Sequence, residues 1–519
     1  MRKTLYIVTA LVMTVSMLLA ACGTATTPTT EPATAVVQAQ ATDTTAPAMA
    51  TDVPTAAVTD TPGPTATPTA YPKADCKAGF TCVNWFIGLG TGTDPAQLTA
   101  EQSVTDDFNA DPARATDKIQ LIMVVVPYNS AKDIILTQIA AGNGPDVIGP
   151  VGWNGSMSLA GQFLDLTKQI AAIPDVTKDF EPALLKAFVT SAGVTEGLPF
   201  AVYPSAIFYN VDLFTQAGID VPPAKYGAKY KLDGKDVVWD WTTVKTVAQR
   251  LTVDAAGKNA TEAGFDKTKI VQYGFSFNFE TQPSYVGAFM SNGGVYVGKD
   301  GKAQLPDGWK KAWAWFYDGE YGDKPFIPNG SVSSSADFGN GNVFGSGKVA
   351  MIDQPVWYTC CVGTTVKNWD LGAMPTSFDG KTVAGRIDAD TFRIWKGTKV
   401  PDAAFKVLVY LVTTGVQKLI IGSDAMPAAY GAVPARAKDF APWLAAKQKA
   451  FPSVKNWQLI SDGLAYPDSP NAEAYMPNYN EAWTRGQTFY SLLANTAGLD
   501  LAKEEATFLA DLQAIFDKK

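Results

Sequence analysis

The chain has 519 residues, of which 46% are hydrophobic and 18% charged, and a net charge of −8. That length exceeds what one compact core holds, so two large lobes are expected, and the acidic balance argues against nucleic acid as a partner. The sequence contains no histidine, which removes Ser-His-Asp and Cys-His nucleophilic schemes and the commonest metal ligand.

The chain opens with Arg2-Lys3, an apolar run over residues 5–19 and the small-residue ending Leu19-Ala20-Ala21-Cys22. A charged region, an apolar region and a small-residue cleavage site make residues 1–21 a signal peptide, the alternative being an uncleaved anchor. Residues 22–75 are dominated by Thr, Ala and Pro. Such a segment cannot bury a core and is expected to be a disordered tether spanning roughly 40 Å. The four remaining cysteines suit an exported, oxidising setting.

Cys76 and Cys82 flank a short turn before a first strand at residues 83–87. They read as a small-loop disulfide, or else as two free thiols. Gly88, Gly90 and Gly92 follow without the dinucleotide-binding spacing or an acidic ribose partner, so a ligand-facing glycine loop is the better reading. A helix over residues 95–109 and an apolar strand over 118–125 come next. A second helix is stopped by Gly142, Gly144 and Pro145. Asp146 and the short buried strand Val147-Ile148 follow, and Gly149, Pro150 and Gly152 open a loop that carries Trp153. Ligands of open α/β sheets sit outside the carboxyl ends of strands, where this loop lies. Strand and helix alternating in this way predict a doubly wound α/β lobe.

Residues 197–212 read as an extended, proline-interrupted segment feeding a strand, which suits a hinge. A hairpin through Asp233-Gly234 precedes a helix over 244–251, with Asp240 or Thr242 as its N-cap. Asp300-Gly301 makes another hairpin turn. The helix over 309–317 turns Trp313 and Phe316 inward. Phe344-Gly345-Ser346-Gly347-Lys348-Val349 resembles a phosphate loop, but Asn342 replaces the first required glycine and Val349 the Ser/Thr, so that reading fails. A strand at 385–394 and a helix at 402–413 follow.

The run Gly142-Asn143-Gly144-Pro145-Asp146-Val147-Ile148 with Trp153 resembles the extracellular solute-binding proteins of ABC importers, in the maltose-binding-like sugar-binding group. Four later stretches match the family's motifs in order: Gly161 to Leu166, Gly197-Leu198-Pro199, Phe208-Tyr209-Asn210-Val211-Asp212-Leu213-Phe214 with Ala217-Gly218, and Phe344 to Met351. Against that pattern residues 224–238 are an insertion. The resemblance implies a type II-like periplasmic-binding-protein fold, in which each lobe is a β-sheet flanked by helices and a three-segment hinge joins them. It places lobe 1 at 76–203 and 376–425 and lobe 2 at 204–375 and 426–519, with the second and third passages at 369–375 and 425–434. It implies a monomeric, non-enzymatic carbohydrate-capturing lipoprotein without a cofactor, diacylated at Cys22, held outside the cell membrane and serving ABC permease subunits. A secreted glycosidase, a binding protein for a polyol, glycerol-phosphate or polyamine, and an adhesion lipoprotein are the competing readings.

Sugars present apolar C–H faces and a ring of hydroxyls, so a site needs flat aromatics and carboxylates, amides or Arg. Trp153, Tyr203, Trp357 and Trp483 are the stacking candidates, each alternatively a core aromatic. Asn154, Glu280, Asp353, Arg386, Asp388 and Asp390 are the polar candidates. Alternation puts Arg386, Asp388 and Asp390 on one face of a strand, which could equally be a self-neutralising solvated edge. Two acids across a sugar would also serve a glycosidase. Adjacent Cys360 and Cys361 are either a strained vicinal disulfide that offers an apolar ledge, or two buried thiols.

Overall fold

The computed structural model describes residues 75–90, 95–180, 182–187, 189–190, 193–277, 286–287, 290, 294–383, 385–466 and 476–518. The signal peptide, Cys22, nearly all of the tether and Glu280 lie outside these residues.

Among the described residues there are thirteen strands: β1 (Thr81–Ile87), β2 (Ile119–Val125), β3 (Val147–Val151), β4 (Gly197–Asn210), β5 (Tyr230–Leu232), β6 (Lys235–Val237), β7 (Val253–Asp254), β8 (Ile270–Gln272), β9 (Ser276–Phe277), β10 (Met351–Pro355), β11 (Trp369–Gly372), β12 (Ile387–Ile394) and β13 (Val433–Pro434). Nine of them form one sheet in the order β2-β1-β3-β12-β4-β10-β9, with β11 and β13 also paired to β4. The strand β1 runs parallel to β2 and β3, as strands joined by helical crossovers must. The helices that matter here are α1 (Pro95–Ala110), α2 (Tyr128–Ala140), α3 (Trp153–Ser158), α4 (Trp241–Leu251), α5 (Asp307–Tyr321), α6 (Pro401–Tyr410), α7 (Phe440–Ala450), α8 (Gln458–Gly463), α9 (Tyr479–Asn495) and α10 (Leu501–Phe516).

Side-chain parity explains how both faces of the first sheet region are covered. In β1, Val83, Trp85 and Ile87 enter one core with α1, while Phe86 enters a second with α2. Both faces are buried, so these strands carry apolar residues on both sides rather than alternating, with Asn84 and Gln120 held by hydrogen bonds. The helix α2 ends where Gly142 takes φ +74°, a left-handed exit that glycine adopts without strain. Asp146 is structural: it accepts from the backbone N and the Nδ2 of Asn84 at 2.8 and 3.1 Å and from the Thr398 hydroxyl at 2.6 Å. Gly144 passes so close to the Trp395 ring that a Cβ would sit 2.7 Å from it.

The fourteen-residue strand β4 is buried along its whole length and serves two halves of the molecule. Residues 197–204 pair with β12, and residues 201–202 also pair with β13. Residues 205–209 pair with β10 and residues 207–210 with β11. Along the distal half, Ala206 and Phe208 face the core shared with lobe 1, while Ile207 and Tyr209 face a second core built on α4, α5, α9 and α10.

The later segments return to β4 at registers of their own. Trp369–Gly372 pairs with the distal half of β4, and the chain reaches the proximal half only at Ile387, opposite Pro204. Likewise β13 still pairs with Ala201 and Val202, and Ala435 N donates to Phe200 O. Loose motifs located these segments in order, but strand register decides where each one crosses. Other expectations agree with the structure: Asp240 caps α4 through Thr243 N at 2.7 Å, and Asp233 and Gly234 both take positive φ in the β5–β6 hairpin. The helix predicted at 402–413 runs further, α6 continuing through two wide turns to Ile421.

Phe208 is fully buried, stacks on Trp369 at 5.5 Å and meets Tyr358 edge-on at 5.4 Å. Phe208→Ala is expected to cost ~3–5 kcal/mol of stability, read by denaturant unfolding. A loss below ~1 kcal/mol would show that β4 does not tie the halves together.

Candidate functional site

Trp153 does not sit in an open loop. Gly152, in extended backbone (φ −79°, ψ −175°), precedes α3 as its cap residue, and Trp153 is the first helical position. The Gly152 carbonyl accepts from Ser156 N at 3.0 Å and from its hydroxyl at 2.8 Å, so the turn closes as soon as the glycines end. The half-buried Trp153 and Asn154 therefore project from a short helix at the carboxyl end of β3.

Beneath this helix lies Asp390. A Cβ on Gly152 would stand 2.9 Å from one Asp390 oxygen, and a Cβ on Gly90 would stand 3.4 Å from the other. Glycine at both positions lets the backbone close over the carboxylate. The Tyr203 hydroxyl donates to Asp390 Oδ2 at 3.0 Å, and the Tyr203 ring is buried at 5% exposure. Tyr203 is thus a holder of Asp390 and not an open stacking face. Next to it, Arg386 Nε donates to both oxygens of Asp388 at 2.8 and 3.0 Å. This trio does share a face, as alternation required, but β12 is interior to the sheet, between β3 and β4. The solvated-edge alternative is therefore overturned, and Arg386 and Asp390 are 4% and 6% exposed.

Burial, opposed by the Tyr203 hydrogen bond and reinforced by the charge of Asp388, raises the Asp390 carboxyl to about 7. Burial and then the Asp390 charge push the Tyr203 hydroxyl well above its usual range.

The opposite wall comes from the second half. The Tyr479 hydroxyl, in the first turn of α9, donates to Asn154 Oδ1 at 3.2 Å, and Met157 of α3 packs against the second core. Trp483, one turn beyond Tyr479, is half-buried and lines a small cavity with Tyr296, Met476 and Phe508. Asp353 on β10 is fully buried, and neither of its oxygens has a hydrogen-bond partner among the described residues. Burial raises its carboxyl well above the usual range.

Trp357 belongs to a different neighbourhood. It lies on a 3-10 turn after β10, and Gly431 approaches so closely that a Cβ would be 2.5 Å from the Trp357 carbonyl. The same loop carries Tyr430, which donates to Glu101 of α1. Burial, partly offset by that hydrogen bond, raises the Glu101 carboxyl to about 8. Cys76 and Cys82 form a disulfide. Cys361 is disulfide-bonded, and the Cys360 side chain lies outside the described atoms.

Three residues of these walls escaped the sequence reading. Tyr479 stood four positions before Trp483, a helical spacing that puts both on one face. Glu101 gave a signal only as an acid on the helix face that also carries Val104 and Phe108, and Tyr430 gave none. Among the described residues no group of three or more Cys, Asp or Glu could hold a metal ion.

A family model for bacterial extracellular solute-binding proteins matches residues 93–418. Binding proteins of Brucella abortus (strain 2308) and Brucella suis biovar 1 (strain 1330) are each 26% identical over 306 residues, 56% of this chain. The chain spans 64% of the length of these curated relatives. An ABC substrate-binding protein of Listeria monocytogenes in complex with cycloalternan superposes with a TM-score of 0.62 at 18% identity, covering 85% of this chain and 100% of that one. The sugar-binding protein MalE of Xanthomonas citri gives 0.60 at 16% identity, covering 84% and 97%. At such identity the likeness is one of fold, the two-lobed α/β architecture.

The raised Asp390 carboxyl predicts a pH dependence. Unfolded, an Asp titrates near ~3.9, whereas the folded group titrates at about 7. Between these values the native state holds a proton that the unfolded state releases. The stability from Asp390 is therefore full below pH ~4 and is lost as pH rises through about 7. Melting temperatures across that window are expected to fall for the parent and to fall less steeply for Asp390→Asn. Parallel slopes would contradict the assignment.

Proposed function

Because the chain belongs to the bacterial extracellular solute-binding protein family, we propose that it captures a carbohydrate between its two lobes and delivers it to an ABC permease. The observation that supports this most is the meeting of α3 with α9 beside the Tyr203–Asp390 pair. An aromatic, an amide and a buried carboxylate from one lobe face a hydroxyl from the other. A sugar ring needs that mixture: a flat apolar surface for its C–H face and polar groups for its hydroxyls.

In this reading Trp153 packs on a ring face and Trp483 extends the apolar wall. Asn154, Asp353, Asp388, Asp390 and the undescribed Glu280 are hydroxyl partners, with Arg386 orienting Asp388. Trp357 serves a more distant sugar unit. Cys360 and Cys361 form a vicinal bridge behind it, a reading supported by Cys361 being disulfide-bonded. Closure of the lobes on the ligand shifts the population that a permease recognises. Cys22 carries the lipid, residues 22–75 form the tether, and the monomer works on the outer face of the cell membrane.

The test is a thermal-shift screen of residues 76–519 against a sugar library, followed by titration of each hit and by chromatography of the incubated sugar. A ligand-induced shift with unchanged sugar is the expected outcome, whereas product formation would establish a glycosidase instead. A stacked indole contributes ~1.5–3 kcal/mol, so Trp153→Ala is expected to weaken the best hit by about 10- to 100-fold while leaving the melting temperature nearly unchanged. An unaltered affinity would remove Trp153 from the site.

A further inference from the structure

The pair Trp153-Asn154 has a counterpart two strands away. Tyr128-Asn129 opens α2 just after β2, as Trp153-Asn154 opens α3 just after β3. In both places an aromatic followed by an asparagine stands at the carboxyl end of a strand parallel to β1. β1 lies between β2 and β3 in the sheet, with Ile87 opposite Val125 of β2 and Phe86 opposite Ile148 of β3. Tyr128 follows Val125 by three residues and Trp153 follows Ile148 by five, so both aromatics stand at the same edge of the sheet.

Tyr128 is 56% exposed, more than any other aromatic among the described residues, and Asn129 beside it is exposed as well. The backbone between the two pairs is kept low. Gly88, at φ +137°, passes so close to the turn after β2 that a Cβ would meet the Val126 carbonyl oxygen at 2.1 Å. A Cβ on Gly90 would meet the Pro150 carbonyl oxygen at 2.9 Å, and Leu89 between the glycines is buried. Residues 88–90 therefore raise no side chain between Tyr128 and Trp153.

A single exposed ring needs no explanation. A second aromatic-amide pair at the same edge, beyond a glycine gap, repeats the chemistry assigned to Trp153-Asn154: an apolar face for C–H groups and an amide that both donates and accepts. Adjacent strands are ~4.8 Å apart, which puts the ends of β2 and β3 about 10 Å from each other. The two pairs stand side by side on one edge and not on facing walls, so one sugar ring cannot lie on both. The length of a sugar unit in a chain is close to one strand spacing, so a chain can reach from one pair to the other.

Resting on the carbohydrate reading above, we infer that Tyr128-Asn129 is an outer subsite of the same site, and that the ligand is an oligosaccharide of three or more units with one end on Trp153 and the other on Tyr128. Tyr128 thereby selects for length. Short sugars engage the Trp153 pair alone, and longer chains gain the second pair.

The experiment is isothermal titration of the full chain with gluco-, manno-, xylo- and chito-oligosaccharide ladders, each from one to five units. In at least one ladder the affinity is expected to rise by about 10-fold or more between dimer and tetramer. Tyr128→Ala is expected to weaken the tetramer by about 10-fold and the dimer far less, with little change in melting temperature because the ring is exposed. Tyr128→Phe keeps the flat face and should retain the rise, whereas Trp153→Ala should weaken every length. A monomer that binds as tightly as its tetramer overturns the oligosaccharide class while leaving carbohydrate capture intact. A rise that survives Tyr128→Ala overturns the assignment to this pair. Absence of binding in all four ladders overturns the inference, and the sugar-library screen then decides separately whether carbohydrate capture stands.

Discussion

A single uninterrupted strand, β4, carries the mechanical problem of this protein. Its backbone must satisfy hydrogen bonds on both edges, yet its partners change at residues 204–205 from β12 and β13 to β10 and β11. Because successive side chains point to opposite faces, one strand supplies Phe208 to a core shared with lobe 1 and Ile207 to the core of lobe 2. Two hydrophobic interiors are thereby tied to a common beam. A relative motion of the halves must bend or twist near the point where the pairing switches, where Ser205 bonds the Arg386 carbonyl at 2.6 Å.

That arrangement also explains why the chemistry gathers where it does. The carboxyl ends of β1 and β3 stop at glycine-rich turns, and the interior strand β12 places acids directly beneath them. A carboxylate there is expensive to bury, and the structure meets the cost in different ways. Asp388 takes a guanidinium, and Asp390 takes a tyrosine hydroxyl and a raised proton affinity. Asp353 has no partner among the described residues.

Much of the architecture was legible along the chain. The apolar run of β2, the glycine stop after α2, the Asp233-Gly234 turn and the Asp240 cap each depend on a handful of neighbouring residues, and each appears where expected. Trp153 was placed at the correct end of β3 but on the wrong kind of element, since a cap formed by Gly152 is invisible until its carbonyl finds Ser156. A stacking Tyr203 and a core Tyr203 look alike along the chain, and its burial against Asp390 follows from a strand pairing that no local pattern encodes.

Taken by itself, the sequence determined which stretches are strands and helices, which faces they bury, and that histidine chemistry has no part here. Those properties follow from backbone geometry and side-chain polarity over a few residues. Only the tertiary structure decided which carboxylate meets which donor. Tyr203 lies 187 residues from Asp390, and Asn154 lies 325 residues from Tyr479. Contacts over such separations are set by strand register and by the packing of whole helices, quantities that a one-residue slip would change without leaving a trace in local composition.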